Sequence, residues 1–200
     1  MISAVIDLRT QRLDLGVDEH LVVDAALACI GRWGLAKTTL DDIAREAGIS
    51  RATVYRRVPG GKAGLVALVG ERETARLIEQ VCVAVDEAPD LASAVVGAVT
   101  AVSQGLRSNT AFAYLLQHEP HAVLPYLSFD ELNPVIGVGR LLGGTHLTRF
   151  LSSEAAAEVG EWIVRLVVSF ILMPGPADLC NEGDVDHLVR TFLLPGIDGT

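Results

Sequence analysis

The sequence predicts an all-α protein of about nine helices, with a small N-terminal domain and a larger C-terminal domain. Apolar residues recur with the helical period, and no segment alternates in the manner of a strand. Alanine, valine and leucine dominate the apolar half of the chain, whereas aromatic residues make up only 5% of it. A length of 200 residues is sufficient for one or two domains with a buried core.

Residues 1–16 are expected to form a flexible arm and not a secretory signal, because charges occur early and no long apolar segment follows. No apolar run reaches the roughly 18 residues that a membrane span needs. The three cysteines, Cys29, Cys82 and Cys180, are too far apart for a metal site or a disulfide framework. These features predict a reducing, cytoplasmic setting, and the sequence contains no cofactor-binding motif.

Residues 17–62 are predicted to form the N-terminal domain. Its first helix begins at Val17 and ends at Gly34, a residue that favours the left-handed conformation beyond a helix end. One side of this helix carries an apolar stripe at helical spacing, formed by Val22, Ala26, Cys29 and Ile30.

Two short helices follow in this domain. Thr39 is a good N-cap for the second helix and Ser50 for the third. Gly48 provides the tight turn between them, and Pro59-Gly60-Gly61 ends the third helix. The expected packing residues are Ile43, Ala47, Ile49 and Val54. This layout is typical of a helix-turn-helix, which places its second helix in the major groove of DNA.

The charge distribution supports a confined DNA contact. The whole chain has a formal net charge of −9, which disfavours a general nucleic-acid binder. Between Arg32 and Lys62, seven cations stand against three anions, so this segment carries +4 and the remainder −13. A basic segment on an acidic body is the electrostatic footprint expected of a local DNA-binding site.

The third helix is expected to supply the DNA contacts. A recognition helix enters the groove by its N-terminus, so the first candidates for base contacts are Ser50, Arg51, Ala52 and Thr53. An arginine pairs with guanine O6 and N7, and the methyl groups of alanine and threonine can contact a thymine methyl. The candidates for phosphate contacts are Tyr55, Arg56, Lys62 and Thr39.

The segment Val23–Lys62 resembles the N-terminal DNA-binding domain of the TetR family of transcriptional regulators. The matching features are Asp24-Ala25-Ala26, Gly34, Thr38-Thr39, Ile43-Ala44, Ala47-Gly48-Ile49-Ser50, Thr53-Val54-Tyr55 and Lys62. This resemblance implies a dimer whose C-terminal domain binds a small molecule and dimerises through its last two long helices. The chain departs from the family pattern at Val58, where an aromatic is usual, and in the longer link Pro59-Gly60-Gly61.

Residues 63–200 are predicted to form the ligand-binding and dimerisation domain. The expected helices span Lys62–Val85, Leu91–Leu106, Thr110–His118, Pro134–Leu142 closed by Gly143-Gly144, Ser153–Met173 and Asp184–Leu194. The Ser153 helix is interpreted as apolar nearly all round, so that it must be covered on every side. A two-fold four-helix interface would cover it, formed by Val159, Ile163, Leu166, Val167, Phe170, Leu188 and Phe192. A monomer with a fully buried central helix is the alternative.

An apolar pocket is expected between the helices from Leu91 to Leu142, since small-molecule sites are largely apolar. Its candidate lining residues are Phe112, Tyr114, Leu115, His118, Tyr126, Phe129 and Trp162. Few charges lie in this region, so the expected effector is hydrophobic. The leading hypothesis is a homodimeric repressor that reads a palindromic operator and is released by this effector.

Two alternatives stay open at this point. The cluster His118-Glu119-Pro120-His121 could serve a metal-dependent enzyme, although Pro120 interrupts the helix that would align its side chains. The favoured interpretation of this cluster is a set of solvated loop residues. The second alternative is a DNA-binding activator without an effector.

Overall fold

The computed structural model describes residues 17–123 and 129–197, and for residues 17, 18 and 129–133 it describes the backbone only. Every regular element in these ranges is helical, which confirms the predicted all-α class. None of the helices within them is long and apolar enough to cross a membrane. The predicted N-terminal arm lies outside the described residues.

The helices follow the predicted order, with bounds that differ by a few residues. They are α1 Val17–Trp33, α2 Leu40–Ala47, α3 Arg51–Arg57, α4 Gly61–Asp86, α5 Leu91–Ser108, α6 Thr110–His118, α7 Phe129–His146, α8 Ser153–Leu172 and α9 Glu182–Leu188. A short 3-10 turn, Pro120–Ala122, follows α6. The chain continues from α9 through a π-helical segment, Val189–Leu193, into a last turn, Leu194–Ile197.

The described residues fall into two compact units. The first contains residues 17–76 and 106–123, so α6 belongs to the same unit as α1, α2 and α3. The second contains residues 77–105 and 129–197, with α7, α8 and α9. Both α4 and α5 contribute residues to each unit.

The core of the first unit is built from the residues that helical periodicity selects. The predicted stripe on α1 is buried throughout. Ile43 and Val54 are fully buried beside it, and Ala47 and Ile49 are packed against the same cluster. Val58, where the family pattern has an aromatic, is also buried in this core. The smaller side chain therefore keeps the packing position with less volume.

The turn after α1 depends on Gly34. Its φ of 83° is a left-handed conformation that a side chain disfavours. A Cβ at this position would also lie 2.1 Å from Glu119 Oε1 and 2.8 Å from Tyr114 Cε1, both on the α6 side of the unit. Gly34 thus ends α1 as predicted and leaves the space in which Glu119 approaches the following loop.

In the second unit α7 and α8 cross with their backbones in close approach. A Cβ on Gly143 would lie 2.2 Å from Ala156 O, and one on Gly160 would lie 2.0 Å from Gly139 O. Two predicted boundaries of α7 are therefore wrong: Gly143-Gly144 lies inside the helix, and Pro134 lies within its second turn. Gly143 allows the two helices to cross closely, whereas the sequence predicts that Gly143-Gly144 ends the helix.

The interpretation of α8 as apolar all round is wrong. Its buried side, Ala156, Val159, Gly160, Ile163 and Val167, is a stripe at helical spacing. A second stripe of the helix is charged, and in it Glu161 receives hydrogen bonds from Arg165 and Arg140 at 2.8 and 2.9 Å; its members are Glu154, Glu158, Glu161 and Arg165. The hydrogen bond from Arg165 is the largest cause of the lowered pKa of Glu161, and the hydrogen bond from Arg140 is the next. The α8 helix is therefore amphipathic.

Candidate nucleic-acid interface

The first turn of α3 presents polar groups at the surface of the helix-turn-helix. Ser50 caps the helix, and its Oγ accepts a hydrogen bond from Thr53 N at 3.1 Å. Arg51 and Ala52 are exposed, and Thr53 is half-buried. Arg51 Nη1 lies 3.0 Å from Asp41 Oδ2 on α2. Because exposed ion pairs contribute little free energy, Arg51 can leave Asp41 for the edge of a base at little cost.

A cleft of about 300 Å³ lies beside this turn. Its walls combine the N-cap of α2, the exposed ring of Tyr55 and the first residues of α4; they are Thr38, Thr39, Leu40, Tyr55, Gly61, Lys62 and Leu65. Three of the four residues predicted for phosphate contact, Thr39, Tyr55 and Lys62, therefore line one cleft. We call it the phosphate cleft below. Arg56, the fourth, is exposed on α3 outside this lining.

Lys62 is fixed by backbone carbonyls. Its Nζ donates to Leu35 O at 2.7 Å and to Ala36 O at 2.9 Å in the loop between α1 and α2. An ammonium group has three protons, so one remains for a further acceptor. The side chain is thus held at the cleft before any DNA arrives, which reduces the conformational entropy lost on binding.

Thr39 is engaged in a capping box with Asp42. Its Oγ1 accepts from Asp42 N at 3.2 Å and donates to Asp42 Oδ2 at 2.5 Å. The hydroxyl donation by Thr39 is the main cause of the lowered pKa of Asp42. The predicted N-cap is confirmed, and a phosphate must compete with the carboxylate of Asp42 for the hydroxyl proton.

The structure adds a residue that the sequence predictions did not place at this site. Glu119, at the C-terminal end of α6, accepts a hydrogen bond from Ala36 N at 3.1 Å. The amide between Leu35 and Ala36 therefore has Lys62 on its carbonyl and Glu119 on its N–H. Ala36 and Glu119 are 83 positions apart in the sequence, so no local pattern could have revealed this contact.

Other charges of the first unit form pairs at the surface. Arg32 makes a two-pronged contact with Glu46, both distances being 2.9 Å, and Arg45 lies 3.2 Å from Asp42. Cys29 lies in the core beneath, and burial is the main cause of its raised pKa. Exposed pairs of this kind contribute little to stability, so these charges chiefly shape the surface potential.

The predicted ligand-pocket residues are distributed over both units. Phe112, Tyr114 and Leu115 are half-buried on α6, and His118 is exposed there with its ring 4.5 Å from that of Tyr114. Trp162 is half-buried on α8. Tyr126 lies outside the described residues, as does the side chain of Phe129. Their grouping around one ligand stays a prediction.

The candidate metal cluster has other contacts. Glu119 accepts a hydrogen bond from the Ala36 amide, and the ring of His118 contacts that of Tyr114 at an interplanar angle of 48°. Among residues 17–123 and 129–197, no group of three or more histidine, cysteine, aspartate or glutamate side chains is placed to hold a metal ion.

The predicted dimer-interface residues differ in exposure. Val159, Ile163 and Val167 are buried within the single chain, and Leu166, Phe170 and Leu188 are half-buried. Phe192, in the π-helical segment, is 68% exposed. Leu172 and Met173, at the end of α8, are 50% and 79% exposed. Three exposed apolar side chains, Leu172, Met173 and Phe192, thus lie at the end of α8 and in the π-helical segment.

Comparisons with known sequences agree with this geometry. The sequence model of the family described as "Bacterial regulatory proteins, tetR family" matches residues 22–69. An uncharacterised HTH-type transcriptional regulator of Mycobacterium tuberculosis strain H37Rv, Rv1255c, is 26% identical, with 94% of this chain and 88% of that protein covered. A second regulator of that strain, Rv2250c, is 40% identical over 55 residues, which cover 28% of each protein.

Solved structures of low identity share the fold. The repressor AlkX from Dietzia sp. strain DQ12-45-1b has a TM-score of 0.66 at 16% identity, covering 90% of this chain and 97% of that one. FadR from Bacillus subtilis in complex with stearoyl-CoA has a TM-score of 0.56 at 17% identity, covering 86% and 97%. A complex of SmeT with triclosan has a TM-score of 0.56 at 18% identity, covering 88% and 91%.

Proposed function

Because this chain belongs to the TetR family of transcriptional regulators, we propose that it is a homodimeric repressor that reads a palindromic operator with α3. The observation that carries the proposal is the phosphate cleft beside the exposed first turn of α3. Phosphate contacts fix register on DNA, and base-edge contacts add specificity. Because a repressor acts on DNA, we infer that the protein is cytoplasmic and that it is not an enzyme.

The base contacts are assigned to the first turn of α3. Arg51 would read guanine in bidentate fashion, and the methyl groups of Ala52 and Thr53 would contact thymine. Ser50 and Arg56 flank these positions. The ion pair between Arg51 and Asp41 supports the assignment, because it keeps the guanidinium extended at the surface until a base replaces the carboxylate.

The phosphate contacts are assigned to the cleft. Lys62 contributes a fixed ammonium, Tyr55 a hydroxyl on an exposed ring, and Thr39 a hydroxyl at the N-terminus of α2. The N-terminal end of a helix carries a partial positive charge, which favours an anion. Asp42 beside Thr39 opposes the anion, so we assign the larger share of phosphate binding to Lys62.

A second copy of the chain is the proposed occupant of the exposed apolar surface on α8 and the π-helical segment. Burying a large apolar side chain is worth about 1.5–3 kcal/mol, so Leu172, Met173 and Phe192 favour association. Half-buried Leu166, Phe170 and Leu188 would complete the contact, whereas Val159, Ile163 and Val167 would support it from within the subunit.

The proposed effector is a small apolar molecule. Two proteins of the same fold have been solved as complexes with triclosan and with stearoyl-CoA. The candidate residues here are aromatic or aliphatic, with His118 as a polar group. Such an effector releases the operator only if it binds the dimer of lower DNA affinity more tightly.

The test is an electrophoretic mobility shift with DNA from upstream of the protein's own gene, followed by footprinting of the shifted band. A footprint with two-fold symmetry is expected. An intact dimer that shifts no such fragment at low salt would refute the proposal. A footprint upstream of the promoter elements, with transcription raised, would make the protein an activator.

A further inference from the structure

A cysteine, a histidine and an aspartate form a chain of contacts in the second unit, which contains none of the residues assigned to DNA contact. Cys82 Sγ lies 3.5 Å from His146 Nε2, and His146 Nδ1 lies 2.7 Å from Asp86 Oδ1. Cys82 and Asp86 are one turn apart on α4, and His146 ends α7. In sites of nucleophilic catalysis a nucleophile likewise contacts a base, and a carboxylate on the other side of the base orients it.

The neighbouring loop fixes this arrangement. Arg149, three residues after His146, donates to Asp86 O at 3.0 Å, to Ala88 O at 2.9 Å and to Val85 O. These carbonyls belong to the last residues of α4 and to the turn after it, where C=O groups lack a partner four residues ahead; Val85 O also accepts from Ala88 N at 3.2 Å. Arg149 thereby holds the residues after α7 against the end of α4, which keeps the imidazole beside the thiol.

The surroundings define what can approach the thiol. Cys82 is half-buried, and the side chain of His146 is 19% exposed. The charged groups within one turn of Cys82 on α4 are Glu79 and Asp86, and Arg149 lies on the loop. Helix α5, whose Gly97 packs on Ala84 of α4, contains no charged residue between Leu91 and Leu106. A small uncharged molecule with a soft electrophilic carbon suits this mainly apolar setting.

We propose that Cys82 is a modification site that takes α,β-unsaturated carbonyl compounds, with His146 as its base and Asp86 as the residue that orients His146. His146 Nδ1–H donates to Asp86, so Nε2 carries the lone pair that accepts the thiol proton. The thiolate sulfur then forms a bond with the β-carbon, and the π electrons of the C=C bond move towards the carbonyl as an enolate. The enolate takes the proton back from Nε2, so the thioether product has no leaving group and needs no oxidant.

The expected gain follows from the thiolate population. An ordinary thiol is only about 1% ionised at pH 6.5, so complete transfer of its proton to an imidazole sets an upper bound of about 100-fold on the gain in thiolate. A stabilised thiolate is also less nucleophilic, which reduces this gain by a factor of roughly ten. The net acceleration over an ordinary cysteine at that pH is therefore up to about tenfold.

The other two cysteines of the chain supply internal controls. Cys29 is fully buried, and Cys180 lies on the loop before α9, where its backbone N–H donates to Asp178. The full-length protein is treated with N-ethylmaleimide between pH 5.5 and 8.5, quenched at intervals and digested. Peptide mass spectrometry then gives a rate for each cysteine in the same sample.

At pH 6.5 Cys82 is expected to react about tenfold faster than Cys180, with a rate that changes little with pH. His146→Gln should remove about tenfold of this rate and restore an increase of tenfold per pH unit. Asp86→Asn, at an exposed side chain, should cause a smaller loss, and circular dichroism checks the fold of each variant. A Cys82 rate equal to that of Cys180, rising with pH in the same way, would overturn the proposal. A fast rate that His146→Gln leaves unchanged would overturn it as well.

Discussion

Removing the charge of Lys62 should weaken operator binding through its salt-dependent part. The Lys62→Met variant keeps the length of the side chain but loses the ammonium that donates to Leu35 O and Ala36 O. Both acceptors are at the surface, so water replaces the lost hydrogen bonds and the fold should remain stable within about 1 kcal/mol. The main consequence is the loss of one phosphate contact per subunit.

The size of the effect follows from counterion release. Each phosphate contact on duplex DNA contributes about 0.9 to the slope of log K against log salt concentration, so the two subunits of a dimer lose about 1.8. If the variant and the wild type bind equally at 1 M salt, the affinity of the variant should be roughly 60-fold lower at 0.1 M salt and only about fourfold lower at 0.5 M salt. A loss caused by misfolding would not decrease in this manner as salt is added.

Fluorescence anisotropy with labelled operator DNA at five salt concentrations measures this slope. Lys37→Met removes an exposed charge outside the phosphate cleft and serves as the matched control. Lys62→Arg keeps the charge and should recover most of the slope. An unchanged slope in Lys62→Met, with affinity reduced equally at every salt concentration, would show that Lys62 acts on the fold and not on phosphate.

Four further variants test the remaining assignments. Arg51→Ala should cost about 1–3 kcal/mol at one guanine position and relax the preference there, which selection from a randomised operator library would measure; an unaltered consensus would remove Arg51 from base reading. Asp42→Asn should lower the melting temperature near neutral pH; because the pKa of Asp42 is lowered in the folded protein, the difference should begin to shrink at the ordinary aspartate pKa and vanish below the lowered pKa of the folded state, and a difference that persists there contradicts a role for the charge. Phe192→Asp should shift the protein towards monomer in analytical ultracentrifugation, whereas an unaltered mass at micromolar concentration places the interface elsewhere. Glu119→Gln should reduce operator affinity with the slope of log K against log salt concentration preserved, and a fall in that slope would argue for a direct electrostatic role.

The helix-turn-helix could be predicted closely because its determinants are local. Thr39 and Ser50 cap helices through hydrogen bonds to residues three positions ahead. Gly48, with a φ of 67°, makes the turn that its lack of a side chain allows. Apolar periodicity then selects the core, since each of these helices has a single buried side.

The errors arose where tertiary contacts override local preference. The sequence predicts a helix end at Gly143, but the crossing of α7 and α8 requires a residue without a side chain at that point. Pro134 is tolerated in the second turn of α7, close to the end where a missing N–H matters least. The last predicted helix, Asp184–Leu194, is interrupted by the π-helical segment Val189–Leu193, which adds a residue to one turn. No spacing rule in the sequence reports these features.

The position of Lys62 depends on a residue of α6 through a single amide. The peptide unit between Leu35 and Ala36 is planar and trans, so its C=O and N–H point in opposite directions. Lys62 donates to the first and Glu119 accepts from the second, and a cation and an anion at the two ends polarise the amide so that each hydrogen bond strengthens the other. A shift of Glu119 therefore changes the geometry at which Lys62 meets a phosphate. We therefore expect the residues that determine operator affinity to include Glu119, which lies outside the helix-turn-helix segment.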